Sequence, residues 1–196
     1  MIAKQQSQYG SWESIFTPEK IIEGGLRLGE IRIDNNDIYF LEGRPAESGR
    51  SVIIKHNPDG TTEDVLPQNY NARNAVHEYG GGSYAVKDEI VFFTNWEDQL
   101  IYKVSADKIS PITKPSNIPM GIRFADLTLS NDGKWIFCVR ETHTKDKEAQ
   151  NEIVAVSTIF SEIIVLASGR DFYSSPRPNP ISNQICWLEW DHPNMP

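Results

Sequence analysis

The stretch from Leu127 to Val139 limits the fold more than any other: one apolar run, an Asp132-Gly133 turn, then the apolar run Trp-Ile-Phe-Cys-Val. An Asp-Gly pair supplies the positive φ values that a short hairpin turn demands. The flanking β-branched and aromatic residues suit a pleated, partly buried surface. Similar hairpins read out at Ile31 to Leu41, Tyr84 to Phe93 and Pro178 to Trp190. Their second strands, marked by Ile38, Ile90, Ile136 and Ile185, recur about every 50 residues, a period that fits repeats of four-stranded blades.

The expected fold is therefore all-β: a partial β-propeller of about three and a half four-stranded antiparallel blades, preceded by one short helix. Residues 1–27 form an N-terminal segment, with Thr17 as N-cap, Pro18 at the first helical position and Gly24 as the stop. Residues 28–196 form the incomplete propeller, with blades near 28–72, 77–117, 121–168 and, in part, 170–196. In the first blade, strands are expected near Leu28 to Ile33, Ile38 to Leu41, Ser51 to Ile54 and Thr62 to Leu66. The second holds Tyr84 to Val86, Ile90 to Thr94, Leu100 to Val104 and a strand near Ile112. The third holds Phe124 to Leu129, Lys134 to Arg140, Glu152 to Ser157 and Ile163 to Ala167. Its charged insert, Glu141 to Gln150, reads as a solvated loop. The fourth unit has only an inner hairpin, Arg177 to Trp190. Its outer strands would come from Met1 to Phe16 or from a longer parent chain, and its open edge invites self-association.

Composition narrows the function. With 39% hydrophobic residues in 196, the chain can bury a core, and it has no apolar run of membrane-spanning length. The polar start, Met1 to Tyr9, lacks a signal core, which points to the cytoplasm. A formal net charge of −8 disfavours nucleic acid and anionic membrane surfaces as partners. Cys138 and Cys186, each in a second strand among apolar residues, read as buried free thiols. The four histidines, His56, His77, His143 and His192, lack the spacing of a metal site, and no cofactor motif is present.

Several longer motifs carry a resemblance: Tyr9 to Trp12, Leu28 to Arg32, Leu41 to Pro45, Val76 to Gly82, Asp171 to Arg177 and Trp187 to Pro196. Over nearly its whole length the chain resembles the N-terminal propeller of prolyl oligopeptidase family serine peptidases, in the dipeptidyl aminopeptidase or acylaminoacyl-peptidase branch. The resemblance implies a partner α/β-hydrolase domain with a Ser, Asp, His triad, and small peptides as substrates. The propeller would restrict access and help position the peptide. Such a hydrolase needs a Gly-x-Ser-x-Gly elbow. Gly81-Gly82-Ser83-Tyr84-Ala85 lacks the second glycine, so the chain alone is expected to be inactive. A self-standing propeller serving as a protein-binding scaffold is the alternative.

The candidate substrate-side or interdomain residues are His77, Glu78 and Tyr79, then Glu42 and Arg44, then Trp190, Asp191 and His192. His77-Glu78-Tyr79 precede three glycines. They read either as a face that meets substrate, or as a loop entering the crowded innermost strand with His77 and Tyr79 bonding to the next blade. Glu42 and Arg44 read as a cleft pair or as a mutual salt bridge. The Glu-Glu pair that would grip a peptide amine in dipeptidyl peptidase relatives is absent. Trp187 and Trp190 read as packing or as part of the active-site side, and adjacent Asp191-His192 do not make a triad pair by themselves.

Overall fold

A computed structural model describes residues 6–12, 14–22, 25–106 and 108–194. Helix α1 (Pro18–Ile22) is a single turn. Thr17 caps it, its hydroxyl accepting from the Lys20 N–H at 3.3 Å, with Pro18 at the start where a missing N–H costs nothing. The expected stop at Gly24 lies outside the described residues.

The strands form three four-stranded antiparallel sheets and one two-stranded sheet among the described residues. The first holds β1 (Arg27–Asp34), β2 (Asp37–Arg44), β3 (Arg50–His56) and β4 (Thr62–Asp64). The second holds β5 (Tyr84–Lys87), β6 (Ile90–Thr94), β7 (Ile101–Ser105) and β8 (Lys108–Pro111). The third holds β9 (Ile122–Leu129), β10 (Trp135–Thr142), β11 (Gln150–Ser157) and β12 (Ile163–Ser168). The last is the hairpin β13 (Phe172–Pro178) and β14 (Ile185–Trp190). Each sheet is a simple meander, and the first strands β1, β5, β9 and β13 stand side by side. This is an open, partial β-propeller.

Turn chemistry explains both the agreements and the differences. Between β5 and β6 the two-residue turn Asp88-Glu89 has both residues at positive φ, 50° and 63°. That conformation is costly for side chains with a Cβ. Asp34 of the neighbouring blade offsets the cost, its carboxylate accepting the N–H groups of Asp88 (2.9 Å) and Glu89 (2.7 Å). The Asp132-Gly133 turn differs from expectation, because Gly133 alone takes positive φ, 67°. The loop is longer than a two-residue hairpin: Gly133 N–H donates to Ser130 O, and Asp132 instead uses its carboxylate to accept from the Ser130 hydroxyl and the Lys134 N–H. The fourth hairpin begins at Phe172, earlier than Arg177, since a bulge near Ser175 carries the strand past Pro176. The described residues between 6 and 16 form no strand and are exposed, so they do not complete that sheet.

The core lies between blades. Tyr39 and Ile53 of the first blade pack on Tyr84, Val91 and Phe93 of the second. Phe92 and Ile101 meet Phe124, Ile136, Cys138 and Val154 of the third. Ala125, Val139 and Ile153 then meet Tyr173 of the fourth. Blades two and three are thus covered on both faces, and β11 is buried along all but its first residue. At the ends the faces are open: Leu28, Ile31 and Ile33 are exposed on β1, and Leu188 on β14. Cys186 shares that open face, so it is an exposed thiol and not the buried one expected; Cys138 is buried, and burial pushes its pKa up. No helix among the described residues is long and apolar enough to cross a membrane.

Two stability changes follow. Phe93→Ala, which empties a fully buried ring position, is expected to cost about 3–5 kcal/mol in urea unfolding. Glu89→Gly, which relieves positive φ while keeping the N–H that Asp34 accepts, is expected to stabilise by about 0.5–1 kcal/mol in the same assay.

Candidate functional site at the loop end of the blades

In a meander of this kind, the start of every first strand and the end of every second strand lie at one end of the sheet. That end gathers the long connections, and every substrate-side or interdomain candidate read from the sequence falls there. They form two separate clusters.

The first cluster belongs to one blade. Arg44 Nε lies 2.6 Å from Glu42 Oε1, and its terminal nitrogens pair with both oxygens of Asp64 at 2.6 and 2.7 Å. Glu47 adds a longer contact at 3.3 Å and also holds Arg50. The hydrogen bond to Asp64, with help from Glu42, raises the Arg44 pKa further, and the guanidinium is committed to fixing the β2–β3 corner against β4.

The second cluster joins three blades, with Glu141 at its centre. Sequence reasoning put Glu141 in a solvated loop, but β10 runs on to Thr142 and buries it to 3% exposure. The missed signal is β10's own alternation, which continues past Arg140: Ile136 and Cys138 face the second blade, while Val139 and Glu141 lie on the other face, toward the fourth. Glu141 Oε2 accepts the His77 N–H at 2.8 Å, while Oε1 meets Arg123 Nη1 at 3.0 Å and His143 Nε2 at 2.7 Å. These bonds hold the short turn Val76–Glu78, where His77 and Glu78 sit at the positive φ values of 55° and 68°.

The His77 ring is enclosed, with Nε2 3.1 Å from Tyr173 O in the fourth blade. Its Nδ1 lies 3.3 Å from Glu141 Oε2, near enough for charge pairing although outside hydrogen-bond geometry. Burial opposes charging of His77, yet Glu141 and the Tyr173 carbonyl prevail and hold its pKa above 6.5. Burial likewise opposes charging of Glu141, but His77, His143 and Arg123 bring its pKa down to about 2.

Aromatic rings spread from His77. Phe172 meets it edge-on at 5.2 Å and stacks on Trp190 at 5.5 Å, and His192 leans on Phe172 at 4.9 Å. Tyr79 does not bond to the next blade as expected: it is 58% exposed, with its ring 5.9 Å from His77. Asp191 and His192 point apart. Asp191 pairs with Arg170 at 2.8 Å, whereas His192 Nδ1 pairs with Asp171 at 2.8 Å. Ligand atoms of Glu78, Glu141 and His143 come within 4.8 Å of one another, but Arg123 bridges the two carboxylates at 2.7 and 3.0 Å and supplies the positive charge there.

Beneath this face lies the glycine run. A Cβ on Gly80 would fall 2.8 Å from the backbone Asn74 O, and one on Gly81 would fall 2.8 Å from the Asp126 side-chain Oδ1. Asp126 accepts the N–H groups of Gly82 and Ser175, each at 2.7 Å. Ser83, the nearest approach to a nucleophile elbow, is 2% exposed, and Glu30 accepts both its N–H and its hydroxyl. It is a strut between blades, not a presented nucleophile.

Removing the central carboxylate tests this arrangement. Glu141→Gln leaves Arg123 and His77 without their buried partner and is expected to cost about 3–5 kcal/mol at neutral pH by urea unfolding. The raised His77 pKa gives stability that is present below pH 6.5 and lost as pH rises through the folded value. The depressed Glu141 pKa gives stability that is present above pH 4.5 and lost as pH falls toward about 2. Unfolding midpoints measured across pH should therefore fall on both sides of that window, and Glu141→Gln should flatten both limbs.

No family profile matches the chain, and no curated protein sequence does. Solved structures do. A puromycin-hydrolyzing peptidase of Mycobacterium tuberculosis superposes with a TM-score of 0.85 and 32% identity, over 98% of this chain and 32% of that one. A puromycin hydrolase gives a TM-score of 0.86 and 27% identity, again over 98% and 32%. TolB of Acinetobacter baumannii, at 0.57 and 13% identity over 86% of this chain and 39% of its own, shares the fold alone. The chain thus spans about a third of the peptidases it matches. Its sheets, its motifs and this overlap together align it with the propeller portion of the puromycin-hydrolysing peptidases of the prolyl oligopeptidase family.

Proposed function

We propose that this chain is the non-catalytic propeller portion of a puromycin-hydrolase-like serine peptidase. It restricts access to a partner α/β-hydrolase domain and helps to position small peptides or peptide-like amides. One observation carries the reading: 98% of the chain matches a third of a puromycin-hydrolyzing peptidase at 32% identity. The buried, fully bonded Ser83 and the absence of a Gly-x-Ser-x-Gly elbow from the sequence support a non-catalytic role for these residues. The loop end offers His77, Trp190 and His192 around Phe172 as the rigid face on which a hydrolase domain would sit.

The test has two readouts. The coding sequence downstream of Pro196 is expected to continue in frame into a Gly-x-Ser-x-Gly elbow. The present chain, incubated with a fluorophosphonate probe and a chromogenic peptide amide, is expected to show neither labelling nor turnover. Labelling that disappears in Ser83→Ala would reverse the non-catalytic assignment. A downstream sequence without the elbow would remove the peptidase context.

A further inference from the structure

At the opposite end of the first strands, where the tight turns lie, β1, β5, β9 and β13 converge on a cavity of about 460 Å³. That is ample for a small ligand. Its charged lining is lopsided. Arg32, Lys87 and Arg177 face a single carboxylate, Asp34. Both Asp34 oxygens are already taken by the backbone N–H groups of Asp88 and Glu89. The acidic side chains of the adjoining turns, Asp88, Glu89 and Asp132, are not part of the lining.

Arg44, Arg50, Arg123, Arg140 and Arg170 each sit in an ion pair. Among the described residues, Arg32, Lys87 and Arg177 do not. Arg32 donates to Ile31 O at 3.1 Å and lies 5.6 Å over the Tyr84 ring; Arg177 donates to Thr128 Oγ1 at 3.1 Å and to Pro176 O at 2.9 Å. Neither bond neutralises a guanidinium. In a chain with 27 acidic against 19 basic residues, three cations here share a lining with one carboxylate whose two oxygens are already engaged, so the cavity carries an excess of positive charge that attracts an anion. Val86, Leu127 and Leu129 add apolar ground beside the polar Thr128, Ser130 and Asn131, with room for more than a bare ion.

We propose that this cavity binds the C-terminal carboxylate of a short peptide, with Arg32, Lys87 and Arg177 as the carboxylate-holding residues and Val86, Leu127 and Leu129 receiving its last side chain. The proposal deepens the peptidase reading and takes the ligand class from it.

Calorimetric titration of this chain at low ionic strength tests it, using Ala-Ala-Phe as the free acid, the same peptide as its C-terminal amide, sodium acetate and inorganic phosphate. The acid is expected to bind at least about tenfold tighter than the amide or acetate, and more tightly than phosphate. Arg177→Gln and Lys87→Gln should each weaken the acid by about tenfold, leave the amide unchanged and keep the wild-type circular dichroism. Equal binding of acid and amide, tighter binding of phosphate, or no binding of the acid would each overturn the site. That failure would leave the downstream reading frame and the probe result untouched. Conversely, tight acid binding with no elbow downstream would keep the site and discard its peptidase setting.

Discussion

Everything in this structure depends on carboxylates that reach from one blade to the exposed backbone of the next. Glu30 and Asp126 both sit at bulges of first strands, at φ values of 49° and 59°. The bulge turns each side chain sideways onto N–H groups that have no ladder partner: Ser83 for Glu30, Gly82 and Ser175 for Asp126. A buried N–H left unmet would cost about 1–3 kcal/mol. The same residues therefore satisfy the backbone and fix the spacing of the blades. Tyr84 adds to the first latch by donating its hydroxyl to Glu30 O at 2.5 Å.

The latch also explains why the glycine run is where it is. Blade two offers the Gly82 N–H to Asp126, and a Cβ on the preceding Gly81 would fall 2.8 Å from the same carboxylate. Farther out on the loop end, Glu141 repeats the device with a charged ring of donors, so that the His77 turn, Arg123 of β9 and the fourth blade are held by one carboxylate. Structure and electrostatics coincide at this face: it is rigid because its charges are paired, and its aromatic residues are exposed only along the rim.

Much of the blade plan could be read from the sequence, since every second strand begins within a residue of Ile38, Ile90, Ile136 or Ile185. Period-two patterning reports strands faithfully where one face is wet. It reports less where both faces are dry, as in β11, and least where a charged residue takes a buried strand position, as Glu141 does at the head of the charged run to Gln150. The burial of Cys186 was misjudged for a related reason: its strand is apolar, but no blade covers its outer face. The grouping of His77, Trp190 and His192 was legible only as proximity in motifs; that Phe172 is the ring they share depends on strand pairing between distant segments. The lopsided charge at the turn end was not legible at all, because Arg32, Lys87 and Arg177 lie on three different blades.

The double coverage of the middle blades has a further consequence for motion. Amides of β10 and β11 can exchange with solvent only when two interfaces separate together, whereas those of β1 and β14 need only one sheet edge to lift. Order in this chain is therefore graded, firmest at the third blade and loosening toward either end, so that heat or denaturant would peel it from the outer sheets inward.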